Sequence, residues 1–501
     1  MSSLWNRRSV AALLLLGGLA ACDEPVPLPP PDGGGGGGTP LVISSPFPPF
    51  TENFVSPYGL PVSAVSSQPL NASTATVSSF TITEDPGADV SRRILVIGGT
   101  TIQATATLLP NQTYHAEITR SLQSTTGSNV AAPYTWTFKT RPIVTFPLAS
   151  STTPFFGHLA LAADSSGGLH AVYADSVNGD FFYAECAGNC SLQGSWHVLG
   201  VDTVGNIGSS SAIGVDRTGR VHIVYRSDRL QTLQYATCIT ACTDLTSWSF
   251  ATVDNSSSLI GINPSIAVTP DGVVHTTYYD GINLFLRYAR CLAACTLDAS
   301  WEQGTPDTSP GVGRSSAIVV DGAIRHVVYE DSTNRTLKYA TCATSCVAAE
   351  IWNVNPVTLV DGGQNPSLAL GPNKELAVTY FAALGGSSAL GSIKYASCLN
   401  TCLTFANWTN FELASTGLVG QGNGVTMDVN GRVQAIFIDN GLARLRYATC
   451  SSVCTSSARW RYSTVDDGIG ITRSAAMVPG RQGALEMLYL ATDGTIVKFA
   501  E

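Results

Sequence analysis

Six cysteine pairs, each spaced C-x-x-x-C and each followed by a tryptophan ten residues after its first cysteine, constrain this chain more than any other feature in it. The pairs are Cys186/Cys190, Cys238/Cys242, Cys291/Cys295, Cys342/Cys346, Cys398/Cys402 and Cys450/Cys454, and the tryptophans are Trp196, Trp248, Trp301, Trp352, Trp408 and Trp460. They mark a tandem unit of about fifty residues, a period that belongs to propellers, solenoids or arrays.

The third unit shows what each contains. It reads as an inner run Ser265-Ile266-Ala267-Val268, a turn Pro270-Asp271-Gly272, a second strand VVHTTYYD, a loop, a third strand LFLRYARC, the cysteine loop, and a fourth strand beginning at Trp301. Four short antiparallel strands per unit describe a propeller blade. The second and third strands recur seven times, the third closing on Tyr183, Tyr235, Tyr288, Tyr339, Tyr395, Tyr447 and Phe499, whereas the tryptophan strand follows only the first six. The β-prone run from Pro142 to Leu148 precedes the first inner strand and has no blade ahead of it, so it is expected to complete the last blade. The expectation is a seven-bladed β-propeller over residues 142–501, closed by that strand and able to fold without what precedes it. Closure removes the strand edges that invite aggregation.

Composition supports an all-β chain throughout. Glycine (48) and proline (26) are abundant, methionine (4) is scarce, and no long stretch places apolar residues at helical spacing. A formal net charge of -9 excludes the concentrated basic face that nucleic acid requires.

The cysteines admit three readings. Zinc would need two pairs to converge, but equivalent loops on neighbouring blades lie too far apart. Haem attachment would want histidine after the second cysteine, where Ser191, Thr243, Thr296, Val347, Leu403 and Thr455 stand instead. Six disulfides within the loops remain, cysteine-stapled blades suited to an oxidising compartment and contributing roughly 2 kcal/mol each at most. Histidines recur at 170, 222, 275 and 326, replaced by Ala377, Gln434 and Glu486 in the later units. Such recurrence around a ring favours packing and hydrogen bonding over a shared metal or base. The Asp-x-x-Gly turns, as at Asp216 and Asp428, are hairpin chemistry, since a calcium loop needs more acidic ligands. No metal and no cofactor is expected.

The N-terminus sets the compartment. Arg7 and Arg8 precede an apolar run from Val10 to Leu19, too short to span a bilayer and typical of a signal-peptide core. It runs into Leu19-Ala20-Ala21-Cys22, which resembles the lipobox of bacterial lipoproteins. That resemblance implies a signal peptide over 1–21 and lipidation of Cys22, an anchor to the cell envelope without a transmembrane helix. Residues 22–40 form a proline- and glycine-rich linker, a spacer by composition. Membrane leaflet and surface exposure stay open.

Residues 41–141 carry β-prone runs at Val77–Thr83, Arg93–Ile97, Thr101–Leu108 and Tyr114–Ile118, separated by turns such as Asp85-Pro86-Gly87 and Pro110-Asn111, a spacing that fits a β-sandwich. The segments STATVSSFTIT, LLPNQTYHAEI and YTWTFKT are similar to bacterial Ig-like domains of surface-layer and envelope proteins. The resemblance implies a spacer module with Tyr114, Trp136 and Phe138 in its core.

Function, on this reading, sits on the loops from fourth strand to next inner strand and from second to third strand, because loops on a rigid scaffold carry binding. The first set holds Asp202, Asp254, Asp307, Asp361 and Asp466, with Arg314 and Arg473 just before inner strands near the channel mouth; the second holds Asp175, Asp228, Asp280, Asp331 and Asp439. Asp202, Asp254, Asp307, Arg314, Asp361, Asp466 and Arg473 are the candidate ligand-binding residues, for a glycan or an envelope or extracellular protein. The runs SIAVTPDGVVHTTYYD and LKYATC resemble sialidase-like propeller repeats of exported bacterial proteins. That likeness implies an arginine trio and a tyrosine with its glutamate, neither of which can be assigned here, and the family's Ser-x-Asp-x-Gly-x-x-Trp box is absent between third and fourth strands. Fold likeness alone carries no activity. A monomeric, non-enzymatic binding protein is therefore expected, with a glycoside-acting hydrolase or lyase as the alternative and a purely structural envelope component as a third class.

Overall fold

The computed structural model describes residues 39–49, 61–85, 88–151, 155, 159–175, 179–203, 207–347, 352–357, 362–383, 391–414, 419–451, 454–469, 474–480, 485–491 and 494–501. The signal segment, Cys22 and nearly all of the proline- and glycine-rich linker lie outside these residues. Among the described residues no helix is long and apolar enough to cross a membrane.

The N-terminal module packs two four-stranded sheets face to face. One holds Ile43–Phe47, Val62–Ser66, Thr101–Ala106 and Ser91–Ile97 in that order; the other holds Ala88–Asp89, Phe80–Glu84, Thr113–Ile118 and Tyr134–Lys139. Alternation decides which side chains enter the core: Ala64, Phe80, Ile82, Ile102, Tyr114, Ala116, Trp136 and Phe138 are buried. Phe80 lies 5.6 Å from Trp136, and Tyr114 stacks on Phe138 at 5.6 Å. The strand expected from Val77 begins instead at Phe80, because Ser79 Oγ bonds both the backbone N–H and the C=O of Thr76 and holds that stretch as a turn.

From Thr145 onward the chain forms seven four-stranded antiparallel sheets in a propeller-like series. In the first sheet Ala160–Ala163, Leu169–Asp175, Asp180–Cys186 and His197–Asp202 lie side by side. The next sheets span 207–254, 262–307, 312–357, 364–414 and 419–467 in the same order, and the seventh joins Ala475–Pro479, Leu485–Ala491 and Ile496–Ala500 to Thr145–Ser150. First strands of successive sheets touch in sequence, and that of the seventh touches that of the first. Both faces of each sheet are thus covered by neighbours, which is why second strands such as Val221–Ser227 and Leu485–Ala491 are buried at every residue rather than at alternate ones. The strand that fills the fourth place in the seventh sheet pairs Phe146 with Phe499 and Thr145 with Ala500. Val144 and Glu501 exchange two further backbone bonds.

Each cysteine pair closes a disulfide within its own loop, from Cys186–Cys190 in the first sheet to Cys450–Cys454 in the sixth, with Cα atoms 5.7–5.9 Å apart. In the first five the closed loop presents the second cysteine's carbonyl to the indole that follows: Trp196, Trp248, Trp301, Trp352 and Trp408 donate Nε1–H to Cys190, Cys242, Cys295, Cys346 and Cys402 at 2.7–3.0 Å. All six expected disulfides are present, and the sixth loop differs from the others in how its tryptophan is held. Cys454 is bonded to Cys450, but its carbonyl does not seat the indole: Trp460 Nε1 is buried without an acceptor. The residue after that tryptophan, Arg461, donates to Thr107 and Glu84 of the N-terminal module.

The indoles pack across the sheet boundaries. Tyr183 meets Trp248 at 5.0 Å, Tyr235 meets Trp301 at 5.1 Å, Tyr288 meets Trp352 at 5.2 Å, and Phe499 meets Trp196 at 5.1 Å. Trp460 keeps this contact, 4.9 Å from Tyr395, although its N–H is unbonded. Each of the first six sheets thereby grips the one before it, the first gripping the seventh. Thiol titration of the unfolded, unreduced chain is expected to find no reactive thiol among these twelve cysteines, Cys454 included; several would contradict the pairing.

The seventh sheet has no cysteine loop and no tryptophan, so Tyr447 of the sixth lacks the indole its equivalents meet. Leu109 of the Ig-like module and Ile143 join the apolar cluster at this boundary, with Ile436, Ile438, Leu445, Tyr447 and Val465 of the sixth sheet and Leu485, Met487 and Tyr489 of the seventh. Arg461 donates to the carbonyl of Thr107 and to Glu84 Oε2, and Arg141 pairs with Glu501 at 2.7 Å. The module read from sequence as a spacer is therefore also the cap of the last sheet boundary.

Candidate functional site

The aspartates expected to face a ligand sit at the ends of fourth strands, and the next sheet engages them. Asp254 accepts from the Tyr278 hydroxyl at 2.7 Å and from Arg287 Nη2 at 3.3 Å. Asp307 accepts from Tyr329 at 2.8 Å and Lys338 Nζ at 2.5 Å, and Asp466 from Tyr489 at 2.6 Å and Lys498 Nζ at 2.7 Å. Asp202 accepts from Tyr225 at 3.3 Å, and Gln234 stands where the later units carry a cation. Burial works to raise the pKa of Asp307, but hydrogen bonds from Lys338, Ser309 and Tyr329 outweigh it and lower the value. Burial and the neighbouring carboxylate push the Tyr329 phenol far up, so it stays a donor. This arrangement staples one sheet to the next. Asp361 and Arg473 lie outside the described residues.

The second set closes hairpins. Asp280 accepts from the backbone N–H groups of Ile282 and Asn283, Asp331 from Asn334, and Asp439 from Leu442. Asp228 pairs with Arg226 at 2.5 Å. The recurrent histidines bond across their own sheet: Nδ1 of His170, His222, His275 and His326 lies 2.6–2.8 Å from the hydroxyl of Tyr183, Tyr235, Tyr288 and Tyr339. Among the described residues no cluster of three or more acidic, histidine or cysteine side chains is placed to hold a metal ion.

What remains is the mouth where the inner strands begin. A cavity of about 110 Å³ is lined there by Asn263, Ser315, Asn365, Asn423 and Ser474 among others. Hydrogen bonds lace these positions from sheet to sheet: Asn263 N–H to Ser210 Oγ (3.1 Å), Asn263 Nδ2 to the Arg314 carbonyl (2.8 Å), Asn365 N–H to Ser315 Oγ (3.0 Å), Asn423 Nδ2 to the Asn365 carbonyl (3.0 Å) and Leu159 N–H to Ser474 Oγ (2.9 Å). Asn263 and Asn365 hold φ of 47° and 46°, which asparagine tolerates better than most residues. Arg314, the residue before the cavity-lining Ser315, is exposed. It follows Gly313, whose φ is +85° and where a Cβ would lie 2.5 Å from that of Leu286. Glu330 is buried and accepts from Ser315 Oγ at 3.0 Å. Burial raises its pKa, with Ser315 and Arg314 opposing. Tyr279, in electrostatic reach of both Arg314 and Glu330, is also raised by burial. A cluster of amides and hydroxyls beside an exposed arginine can orient hydroxyl or carboxylate groups of a ligand.

Of the sequence-derived candidates among the described residues, Arg314 joins this lacework through its backbone carbonyl, which accepts from Asn263 Nδ2. Glu330 and the asparagines were missed there, although Asn-Pro-Ser at 263–265 and again at 365–367, with Asn423 in the following unit, was a visible signal.

Residues 38–140 match the family model of a bacterial Ig-like domain. Among curated proteins nothing matches. Solved structures similar in part include hydrazine synthase of Kuenenia stuttgartiensis (11% identity, 70% of this chain and 96% of that one, TM-score 0.47). Others are the Aleuria aurantia lectin with Fucα1-6GlcNAc (11%, 62% and 97%, TM-score 0.40) and a Hadza microbial sialidase (11%, 81% and 77%, TM-score 0.37). At these scores no ligand or reaction transfers to this chain.

Proposed function

We propose that this chain is an exported lipoprotein, held to the cell envelope through Cys22 and lifted from the membrane by its proline- and glycine-rich linker, that binds a glycan or a protein without altering it. Its body is then a seven-bladed β-propeller with cysteine-stapled blades, capped by the Ig-like module. The observation that carries the reading is the laced polar mouth, with the exposed Arg314 bonded into it through its backbone carbonyl. Asp202, Asp254, Asp307 and Asp466 are engaged by tyrosines of the next sheet, which supports a bracing role for them. The six disulfides support an oxidising compartment.

A glycan array and an envelope-protein array probed with the chain from residue 23 onward test this. Retention of a defined ligand is expected, weakened about tenfold or more by Arg314→Ala with no change in thermal midpoint, since an exposed side chain is removed. Retention indifferent to Arg314→Ala would move the site elsewhere. The glycoside-acting alternative rests on Tyr279, Glu330 and Arg314 lying in electrostatic reach of one another, with Glu330 bonded to the cavity-lining Ser315. Against it, burial pushes the Tyr279 phenol up rather than toward the ionised form a nucleophile needs.

A further inference from the structure

On the opposite side of the ring, where the disulfide loops lie, the third and fourth sheets part around a groove of about 720 Å³. Its walls are largely apolar, with Ile266, Val268, Ile318 and Leu292 among them, and Arg325 and His275 line it as well. Arg325 is out of character for its place. It pairs with Cys342, as Leu169, Val221, Val274, Leu376 and Val433 pair with the first cysteines of their own loops. Those five residues are at most 4% exposed, and Leu485 holds the same place in the seventh sheet at 0%. Arginine at 8% exposed stands where six units use leucine or valine.

A buried cation ordinarily has a counter-charge. The other deeply buried arginines do: Arg226 pairs with Asp228 at 2.5 Å and Arg432 with Asp428 at 2.8 Å. Among the described residues Arg325 has no carboxylate within ion-pair distance. Its Nη1 donates to the Ala323 carbonyl of its own turn, its guanidinium also meets the neutral Tyr288 hydroxyl, and its Nε is buried without a partner. Asp271 shares the groove but sits exposed at its rim, tied to Thr269 Oγ1 at 2.5 Å. His275 is buried, which brings its pKa down to about 4, so at neutral pH it adds a hydrogen-bonding ring and no charge.

We propose that this groove is a second binding site, for a small organic anion with an apolar body, whose acidic group pairs with Arg325 while its body lies against Ile266, Val268 and Ile318. The missing counter-charge, the apolar walls and the open volume are what such a ligand supplies or fills. This site is separate from the mouth on the other face.

Anilinonaphthalene sulfonate, an apolar body bearing one acidic group, is the probe. Titrated into the folded chain from residue 23 onward, it is expected to give saturable fluorescence enhancement, with affinity lowered about tenfold or more in both Arg325→Val and Arg325→Met. Arg325→Val is expected to raise the thermal midpoint without probe, since it restores the residue type of the other units. Arg314→Ala should leave probe binding unchanged, so failure of the mouth reading and failure of this one are distinguishable. Absence of saturable binding, or equal affinity in the wild type and both Arg325 variants, overturns the proposal.

Discussion

Asp307→Ala is expected to lower the thermal midpoint of the folded chain by about 5–10 °C, because it strands Lys338 in a place built for an ion pair. Both side chains are nearly buried, 6% and 11% exposed, and removing one member of such a pair costs about 3–5 kcal/mol. Tyr329 also loses its acceptor. Asp467→Ala is the control: its pair with Arg444 is exposed, 66% and 40%, and exposed pairs contribute about 0–1 kcal/mol. Asp307→Ala combined with Lys338→Met should recover part of the loss, since no orphan charge is left. The sign with pH follows from the lowered pKa. The aspartate's contribution is present in full above the ordinary value of 3.8 and is lost as pH falls from there through the lower folded value. An unchanged or raised midpoint for Asp307→Ala would return this residue to the ligand-binding role first expected of it.

The second large effect concerns the Ig-like module. A chain beginning at Thr140 keeps the strand that completes the seventh sheet but loses Leu109, Glu84 and Thr107. Arg461 is then left without its partners and Tyr447 without its cover. Such a chain is expected to melt well below the full-length protein. In the full-length chain Leu109→Ala alone should cost about 2–5 kcal/mol, the range for truncating a buried leucine; Leu109 is 6% exposed. Calorimetry of the intact chain should show one joint transition for both modules. Equal midpoints with and without residues before 140 would show that Leu109 caps nothing.

How far the sequence disclosed this follows from where each contact lies along the chain. The blade unit was legible because its determinants are local: Cys291, Cys295 and Trp301 fall within one loop, and the orphan run before the first unit had one vacant edge to fill. The departure at Cys454 was not legible, because the spacing to Trp460 is the same as in the other five units. The roles of the aspartates were hidden in another way. Asp307 meets Tyr329 and Lys338 across a sheet boundary, 22 and 31 residues on. Read within its own unit, such an aspartate is a polar loop residue next to a channel. The signal was in the neighbouring unit, where the second strand carries a tyrosine and the third a cation, as at Tyr278 and Arg287 or Tyr489 and Lys498. Arg461 reaching Thr107 spans 354 residues, beyond any pattern in a single sequence. Arg325 was visible as an arginine in a column of leucines and valines, but its lack of a counter-charge is a property of the folded chain alone.

Binding without turnover is the heart of the functional proposal, and it is measured most directly on the ligand itself. The chain from residue 23 onward is incubated with the best-retained array ligand, the ligand is eluted, and its mass is determined alongside that from Arg314→Ala. Recovery of the ligand intact from the wild type, with less of it from Arg314→Ala, is the result predicted. Shortened or unsaturated products accumulating with time in the wild type, and lost when Tyr279 or Glu330 is replaced, would contradict it and make the mouth an active site.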